Sequence, residues 1–543
     1  MDKINEEWLP HLRPSMIENA QGYQLDAYLM ALEGWRRGLT LKWHVKDSEK
    51  FKDMRTWYVE KPGHLFSLSS KERVHYFFKT RGDLVSNGAV DIGKDKQQTK
   101  VHLEREGVRT PQGQELTQLE SIDLAKEVAN KVGYPVVVKP SDGSYGRGVF
   151  TNIGTEEDLE NAINYIQKTL ETNDIIIEEH IPGDEHRLYV VGDRVVGAML
   201  REPANVVGNG ENTVKQLIDI KNDQKKQNPR LVSCLIKQNP ETRHFIEKQG
   251  YTLQSVLPEG EKLYLTDKSN ISIGGDPISV TDELPQTVKD VAVAAVKAIP
   301  GLVHSAVDLI VDRSGDQVEG VVLELNPTAQ IGGLVFPMKG KPNDIPKAII
   351  DYYFPETEPI TQDQSKLYFD LETVLEPLLT RTAKVAAMSP TPKGELYAKK
   401  YIVTGDVSNH GFHLGLRKQL FERYLFGRIV MLEDDSIEVI AAGTDPEAVE
   451  EFKEAIYEDP ERSEIESVTE EAYDGALNIG VEIKTAKHLQ LERAQELQQS
   501  LELINQELHS LEKNYKTYLK SFSWRISYPI RLVGAIFKSI RRS

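Results

Sequence analysis

The sequence predicts an α+β chain built from several folded units, and three observations predict it. Short β-branched runs favour buried strands, the clearest being Val136, Val137 and Val138 between Pro135 and Pro140. Through the first two thirds of the chain they alternate with amphipathic stretches of helical period. Residues 396–480 then run strand, helix, strand, strand and helix, and 543 residues leave room for about three domains, each able to bury a core.

Composition narrows the function. Hydrophobic residues are 39% of the chain and charged residues 28%, a globular balance. The formal net charge of -18 argues against nucleic acid as a partner, because a phosphate backbone selects a basic face. It suits a cytoplasmic enzyme. Cys234 is the only cysteine, which excludes intrachain disulfides and multi-cysteine metal sites. The N-terminal MDKINEEWLPHLRP has no basic start followed by an apolar run, and no uninterrupted apolar stretch reaches spanning length. Neither secretion nor a transmembrane helix is expected.

Residues 1–85 hold Trp8, Trp35, Trp43 and Trp57, expected in aromatic core packing with no chemistry assigned. From Ser86 the pattern sharpens. Asp95 can cap a helix running through Leu103, Gly107 can end it, and Lys94, Lys96 and Lys100 lie near its start. Tyr134 to Phe150 reads YPVVVKPSDGSYGRGVF: a strand closed by Lys139, then a loop with Gly143, Gly146 and Gly148. Bare backbone N–H groups in such a loop can approach phosphate oxygens while the lysine adds a point charge, which makes a phosphate clamp. Taken alone the loop also reads as an ordinary hairpin turn, and no Gly-Lys-Ser/Thr makes it a Walker A loop. Lys96 becomes a second phosphate lysine if that loop faces it.

Helices are expected over 121–132 and 155–172, with a strand at 174–178 that runs into EEHIPGDEHRLYVV. There Glu178 suits an adenine amino group, Ile181 an apolar ring face and Glu185 a ribose hydroxyl. His180 and His186 lack an HExxH frame and read as ordinary residues. Residues 201–231 form a polar stretch expected to be a mobile excursion over a site, and KSNISIGGD supplies a donor-rich turn. Two strands follow, SAVDLIVD with Asp308 and VVLELNPTAQIGG with Glu324 and Asn326. Alternate residues on a strand share a face, so these three make an all-oxygen cluster suited to Mg²⁺ (or Mn²⁺) that bridges phosphates.

The order of these features resembles the ATP-grasp fold. The closer resemblance is to cyanophycin synthetase and to the ATP-grasp half of bifunctional glutathione synthetase. It is carried by DKQQTK, VVVKPSDGSYGRGV, DEHRLYVV, REPANVVGNGENTV, SNISIGGD and LELNP, across residues 86–355. The resemblance implies that Lys96 and Lys139, with Ser144, Gly146 and Gly148, hold the ATP phosphates. Glu178 and Ile181 would meet the adenine, Glu185 the ribose, and Asp308, Glu324 and Asn326 the Mg²⁺. Arg201, with Lys139, would steady a forming acyl phosphate. The implied activity joins a small-molecule carboxylate to an amine. Ala306 stands where D-alanine ligases of this fold place an arginine, so D-alanine is not the expected substrate. The Mur-ligase-like half of cyanophycin synthetase has no counterpart here, which argues against cyanophycin itself.

Residues 356–395, with Pro355, Pro359, Pro377, Pro390 and Pro392 in and beside them, read as a linker. Residues 396–480 are expected to form a ferredoxin-like unit. It resembles acylphosphatase through the Gly405 to Phe412 loop before a helix. His413 stands where that family has its phosphate-binding arginine, and Met431 where it has its catalytic asparagine. Neither substitute supplies the needed group, so the domain reads as catalytically impaired. Residues 481–520 carry a heptad seam through Ala494, Leu497, Leu501, Ile504, Leu508, Leu511, Tyr515 and Tyr518, expected to form a coiled coil and a homo-oligomer. Residues 521–543 mix aromatic and aliphatic side chains with basic ones alone, expected to touch the inner face of a membrane. Their SWRI and PIR segments resemble tails of bacterial surface-polysaccharide enzymes.

The expected function is an ATP-dependent carboxylate–amine ligase acting on an amino acid, a peptide or a cell-surface polymer precursor. An acylphosphatase with a regulatory ATP-binding domain and a non-catalytic ATP-binding scaffold are the alternatives.

Overall fold

The computed structural model describes residues 8–119, 121–141, 148–315, 317–407, 411–432, 434–458 and 464–484, together with Leu497 and Leu501. The chain divides into two compact units: residues 1–395 with 474–479, and residues 396–473 with those from 480 onward.

Three larger sheets and two two-stranded ones build the first unit. An antiparallel sheet is ordered Val385–Ala387, Thr40–His44, Leu65–Ser69, Val74–Phe78 and Arg81–Gly82. The helix Leu25–Arg36 packs on it and is buried along its whole length. A Cβ on Gly34 would stand 2.4 Å from Leu68 Cδ1, so only glycine allows this close approach of helix to sheet. Trp35 and Trp43 are wholly buried, as core packing requires.

Two expectations about boundaries are corrected here. Residues 356–395 are not a linker. They contain the strand Leu367–Tyr368, the helix Leu371–Leu379 and the strand Val385–Ala387, with Leu371, Leu375 and Leu378 buried. The buried Arg36 guanidinium donates to the carbonyls of Leu367 (2.7 Å) and Ser365 (2.9 Å), fixing the segment to the helix. Nor are residues 1–85 a separate domain. A Cβ on Gly82 would lie 2.3 Å from the Tyr353 ring, and Thr80 Oγ1 donates to the Ala329 carbonyl at 3.0 Å.

The central sheet is antiparallel and ordered Asp276–Ser279, Arg194–Glu202, Asp184–Val191, His304–Asp312 and Glu319–Asn326. The helices Asn87–Lys94 and Gln286–Lys297 contribute Ala89, Val90, Val288, Ala292 and Ala295 to the core formed with Leu188, Val307 and Leu325. A four-stranded sheet, ordered Gly113–Leu116, Ile175–Glu179, Val136–Pro140 and Phe150–Ile153, carries the helices Ile122–Val132 and Glu156–Leu170. The stretch expected to be a mobile excursion is instead folded. Strands Asn205–Val207 and Lys262–Tyr264 and the helix Val214–Gln227 enclose Val206, Val214, Ile218, Leu257 and Leu263. Lys225, fully buried, pairs with Asp276 at 2.8 Å and anchors that helix to the central sheet.

The second unit is a sheet ordered Glu464–Ala472, Tyr397–Asp406, Ile437–Gly443, Phe426–Met431 and Val481–Lys484. The first four strands are antiparallel and the last is parallel to its neighbour. With helices Phe412–Glu422 and Pro446–Ile456 packed over Tyr401, Ile429, Val439 and Phe452, this is the expected ferredoxin-like βαββαβ arrangement with one added strand. Its expected boundaries shift: residues 474–479 belong to the first unit, where Leu477–Asn478 pairs with Leu367–Tyr368. Val481–Lys484 is a strand rather than the start of a coiled coil. Apart from Leu497 and Leu501, the rest of the expected coiled coil and the whole basic tail lie outside the described residues. No helix among the described residues is long and apolar enough to cross a membrane.

Candidate active site

Two sheets of the first unit supply the site. In the four-stranded sheet Val137 pairs with Glu178 and Lys139 with Ile176, which puts Lys139 and Glu178 diagonally on one face. The Lys139 ammonium donates to the Glu178 carboxylate. Asp95 caps the helix Lys96–Arg105 as expected, and that helix presents Lys96 and Lys100 to the same place. Lys96 Nζ donates to the Pro140 carbonyl at 3.4 Å and Lys100 Nζ to the Pro111 carbonyl at 2.7 Å. Lys96, Lys100, Lys139 and Glu178 line one open cleft, whose other wall is Val322 and Leu323 of the central sheet. Ser144 and Gly146 lie outside the described residues. Gly148 has φ +75, and a Cβ there would meet Leu170 Cδ1 at 2.4 Å and Pro140 Cγ at 3.1 Å. Backbone and space both demand glycine at this end of the loop.

The central sheet adds a charge cluster. Asp308 pairs across one edge with Glu324 and across the other with Arg187. The Arg187 guanidinium donates to both carboxylate oxygens at 2.7 Å, and Arg201 Nη1 donates to Asp308 Oδ2 at 3.0 Å and to Glu185 Oε1 at 2.5 Å. Asn326 Nδ2 reaches Glu324 Oε1 at 3.0 Å and Asp308 Oδ2 at 3.3 Å. Asp308, Glu324 and Asn326 therefore converge as the strand alternation predicts, and Arg201 joins them. Glu185 stands in this cluster, held by Arg201 and by the Ser269 hydroxyl, and Ile181 is buried; neither is on the cleft lining.

Burial raises the Asp308 carboxyl, but Arg187 and Arg201 overcome it and hold the group far below the usual carboxylate range. Glu324 is pushed up by burial and by the neighbouring Asp308 charge, to which it is hydrogen-bonded. Three carboxylates, Asp308, Glu324 and Glu185, face two guanidinium groups, so the fully ionised cluster is one positive charge short. Arg201 Nε is buried without a hydrogen-bond partner. Oxygen donors, a charge deficit and an unsatisfied donor together fit a hard divalent cation and an anion beside it. Among the described residues no group of three His, Cys, Asp or Glu forms a metal cluster by itself, which leaves a cation to be completed by Asn326 and by oxygens from outside the protein.

Arg187 and Ser269 were not assigned to this site from the sequence. Strand alternation was the available signal for Arg187, because Glu185, Arg187 and Tyr189 share a face of Asp184–Val191. Ser269 lies on the donor-rich turn, 84 residues from the carboxylate it meets, and only the fold brings them together. In the second unit His413 sits in the first turn of the helix Phe412–Glu422 and Met431 ends the strand Phe426–Met431, its side chain packed against the core.

Two regions of the chain are similar to known protein families. The family model for the ATP-grasp domain matches residues 101–217 and that for acylphosphatase matches residues 399–479. The cyanophycin synthetase of Geminocystis herdmanii is 30% identical over 276 residues, 50% of this chain and 31% of that protein. The glutathione biosynthesis bifunctional protein of Clostridium perfringens is 32% identical over 364 residues, 65% of this chain and 44% of that protein. A crystal structure of the bifunctional glutathione synthetase of Pasteurella multocida is 27% identical, covering 54% of this chain and 40% of that one, with a TM-score of 0.43. The chain thus spans less than half the length of these relatives. It carries an ATP-grasp domain of the α+β class. That domain is related to those of cyanophycin synthetase and of the bifunctional glutathione enzyme, and an acylphosphatase-family domain follows it.

Proposed function

We propose that the protein is an ATP-dependent carboxylate–amine ligase that forms an amide through an acyl phosphate. The observation that carries this reading is the convergence of Asp308, Glu324, Asn326, Arg187 and Arg201 on the central sheet next to a cleft lined by Lys96, Lys100 and Lys139. Three ammonium groups suit a triphosphate. Lys139 and Lys96 bind its oxygens, Gly148 permits close backbone approach, and Glu178 accepts from the adenine amino group once Lys139 turns to phosphate. Ile181 packs on the base and Glu185 meets the ribose.

Asp308, Glu324 and Asn326 would hold Mg²⁺, which supplies charge neutralisation between the phosphates. Arg201 aims its unsatisfied Nε–H at the transferring phosphoryl group, and Arg187 keeps Asp308 ionised and in place. The substrate carboxylate attacks the γ-phosphate, ADP leaves, and an amine then displaces phosphate from the acyl carbon. Positioning and preorganised charge supply most of the rate in phosphoryl transfer. The substrates are an amino acid, a peptide or a cell-surface polymer precursor. Self-association through the heptad seam beyond Lys484 and membrane contact through residues 521–543 belong to the same proposal and rest on sequence pattern alone.

The test is an ADP-release screen of carboxylate and amine pairs with mass detection of the product. An amide formed in step with ADP and phosphate supports the reading; ATP hydrolysis indifferent to every amine, or no turnover with any pair, counts against it.

A further inference from the structure

The loop that follows Glu319–Asn326 is built into a second polar cluster that the ligase reading does not use. Thr80 Oγ1 donates to the Ala329 carbonyl at 3.0 Å, and the backbone N–H groups of Ile331 and Gly332 donate to Asp26 Oδ1 at 3.0 and 3.1 Å. Arg230 Nη2 donates to Gln330 Oε1 at 2.7 Å while Nη1 rests on Cys234 Sγ at 2.8 Å. With its carbonyl oxygen taken, Gln330 is left with its amide –NH₂ as the free end. Lys79, beside Thr80, holds the left-handed φ of +55 that a lysine rarely adopts. Its ammonium makes no ion pair or hydrogen bond among the described residues and lies 5.5 Å from the Phe78 ring. His64, whose carbonyl accepts from the Lys79 N–H at 2.8 Å, is 9% exposed, and its ring makes no well-formed hydrogen bond, only a looser contact with the Tyr23 backbone.

We propose that Lys79, Arg230, Gln330 and His64 form an anion subsite that takes a second carboxylate of the substrate, remote from the one that reacts. The proposal rests on the ligase reading of the adjoining site. Gln330 lies four residues beyond Asn326, so the two are at most about 14 Å apart. That is the reach of an amino acid or a short peptide. Burial raises Asp26 while Arg230, the Ile331 and Gly332 N–H groups and Lys79 favour its charge; with Asp26 ionised, Lys79 and Arg230 leave one net positive charge, which a carboxylate monoanion neutralises and a phosphate dianion would overfill. Every free group except Asp26 is a donor or can become one, as recognition of an acceptor-only oxyanion requires. Burial and the Lys79 charge lower His64 to about 4 against the pull of a Tyr23 backbone contact, so the ring stays neutral and adds no charge.

The full-length chain tests this with succinate as probe, and with succinamide and inorganic phosphate as controls. Trace acetylation read by mass spectrometry is expected to label Lys79 in the free protein. Succinate at twice its dissociation constant should lower that labelling about threefold. The exposed Lys52 should be unaffected. Lys79→Met and Arg230→Met should lose the succinate-induced rise in melting temperature and keep the rise induced by Mg·ATP. The subsite is overturned if Lys79 is unlabelled in the free protein, if succinamide protects as well as succinate, or if phosphate protects and succinate does not. A wild-type chain that shows no rise with Mg·ATP sinks the ligase reading instead, and the labelling result still judges the subsite.

Discussion

Arg187 and Asp308 face each other across adjacent antiparallel strands, and the guanidinium closes on both carboxylate oxygens at 2.7 Å. Asp308 is 1% exposed, so removing Arg187 leaves its charge to Arg201 alone, and removing Asp308 leaves Arg187 without its carboxylate in a poorly solvated place. Such losses cost about 3–5 kcal/mol, whereas removing both partners is far cheaper. Arg187→Met should therefore lower unfolding stability by about 3 kcal/mol, and adding Asp308→Asn should restore part of it. Urea unfolding of the two single variants and the double variant checks the coupling. Strictly additive losses would show that the pair is not a unit.

The two halves of the site should fail differently. Lys139→Ala removes a charge from the phosphate cleft, so it should raise the apparent KM for ATP and lower kcat by on the order of 10²-fold. Glu324→Ala removes an oxygen donor, so its lost activity should return in part as Mg²⁺ is raised, which it should not do for Lys139→Ala. Steady-state rates over an Mg²⁺ series separate the two. Identical Mg²⁺ dependence in both variants would mean that Glu324 is no cation ligand.

Acid should weaken the fold through buried histidines. His304 is enclosed between the Tyr189 and Tyr353 hydroxyls at 3.2 and 3.1 Å, and burial, with Arg81 adding, lowers it from 6.5 to about 3. Below 6.5 the unfolded chain takes up a proton that the folded chain refuses. Stability from this group is complete above 6.5 and drains as pH falls toward 3, by about 1.4 kcal/mol per unit. His11, His44 and His64, each lowered to about 4 by burial, act in the same direction. His304→Gln should flatten the acid limb by one histidine's share. Chemical denaturation between pH 6 and 5 measures it, and an unchanged slope would count against a neutral buried His304.

Much of this site was legible because strand alternation is a local rule. Asp308, Glu324 and Asn326 needed only the pleat and one strand pairing to meet, and the Asp95 cap needed only its own helix. What was missed depended on distance along the chain or on a misleading residue. Prolines made residues 356–395 read as a linker, yet Pro377 lies inside the helix Leu371–Leu379, where Leu371, Leu375 and Leu378 form the buried stripe. The return of Val385–Ala387 to pair with Thr40–His44 spans more than three hundred residues, and no local pattern announces it. The polar sequence at 201–231 hid a small core because half of that core comes from Ile236, Ile246, Leu257, Leu263 and Leu265.

The acylphosphatase-family unit yields the last prediction. An acylphosphatase needs an oxyanion clamp and a group that orients water, and the sequence resemblance puts His413 and Met431 at the positions for these. Met431 is partly buried and packs against the core of this unit, a place that suits a thioether. An imidazole lacks the guanidinium fork. In a full-length Lys139→Ala background, which silences the ligase site, benzoyl phosphate should be hydrolysed barely above the buffer rate. Adding His413→Arg and Met431→Asn should raise hydrolysis by on the order of 10²-fold if the loop can close on the phosphate. Colorimetric phosphate release and circular dichroism of each variant provide the check. Efficient hydrolysis by the Lys139→Ala chain alone would overturn the impaired reading. It would mean that backbone N–H groups of the loop and a water held by other residues are enough.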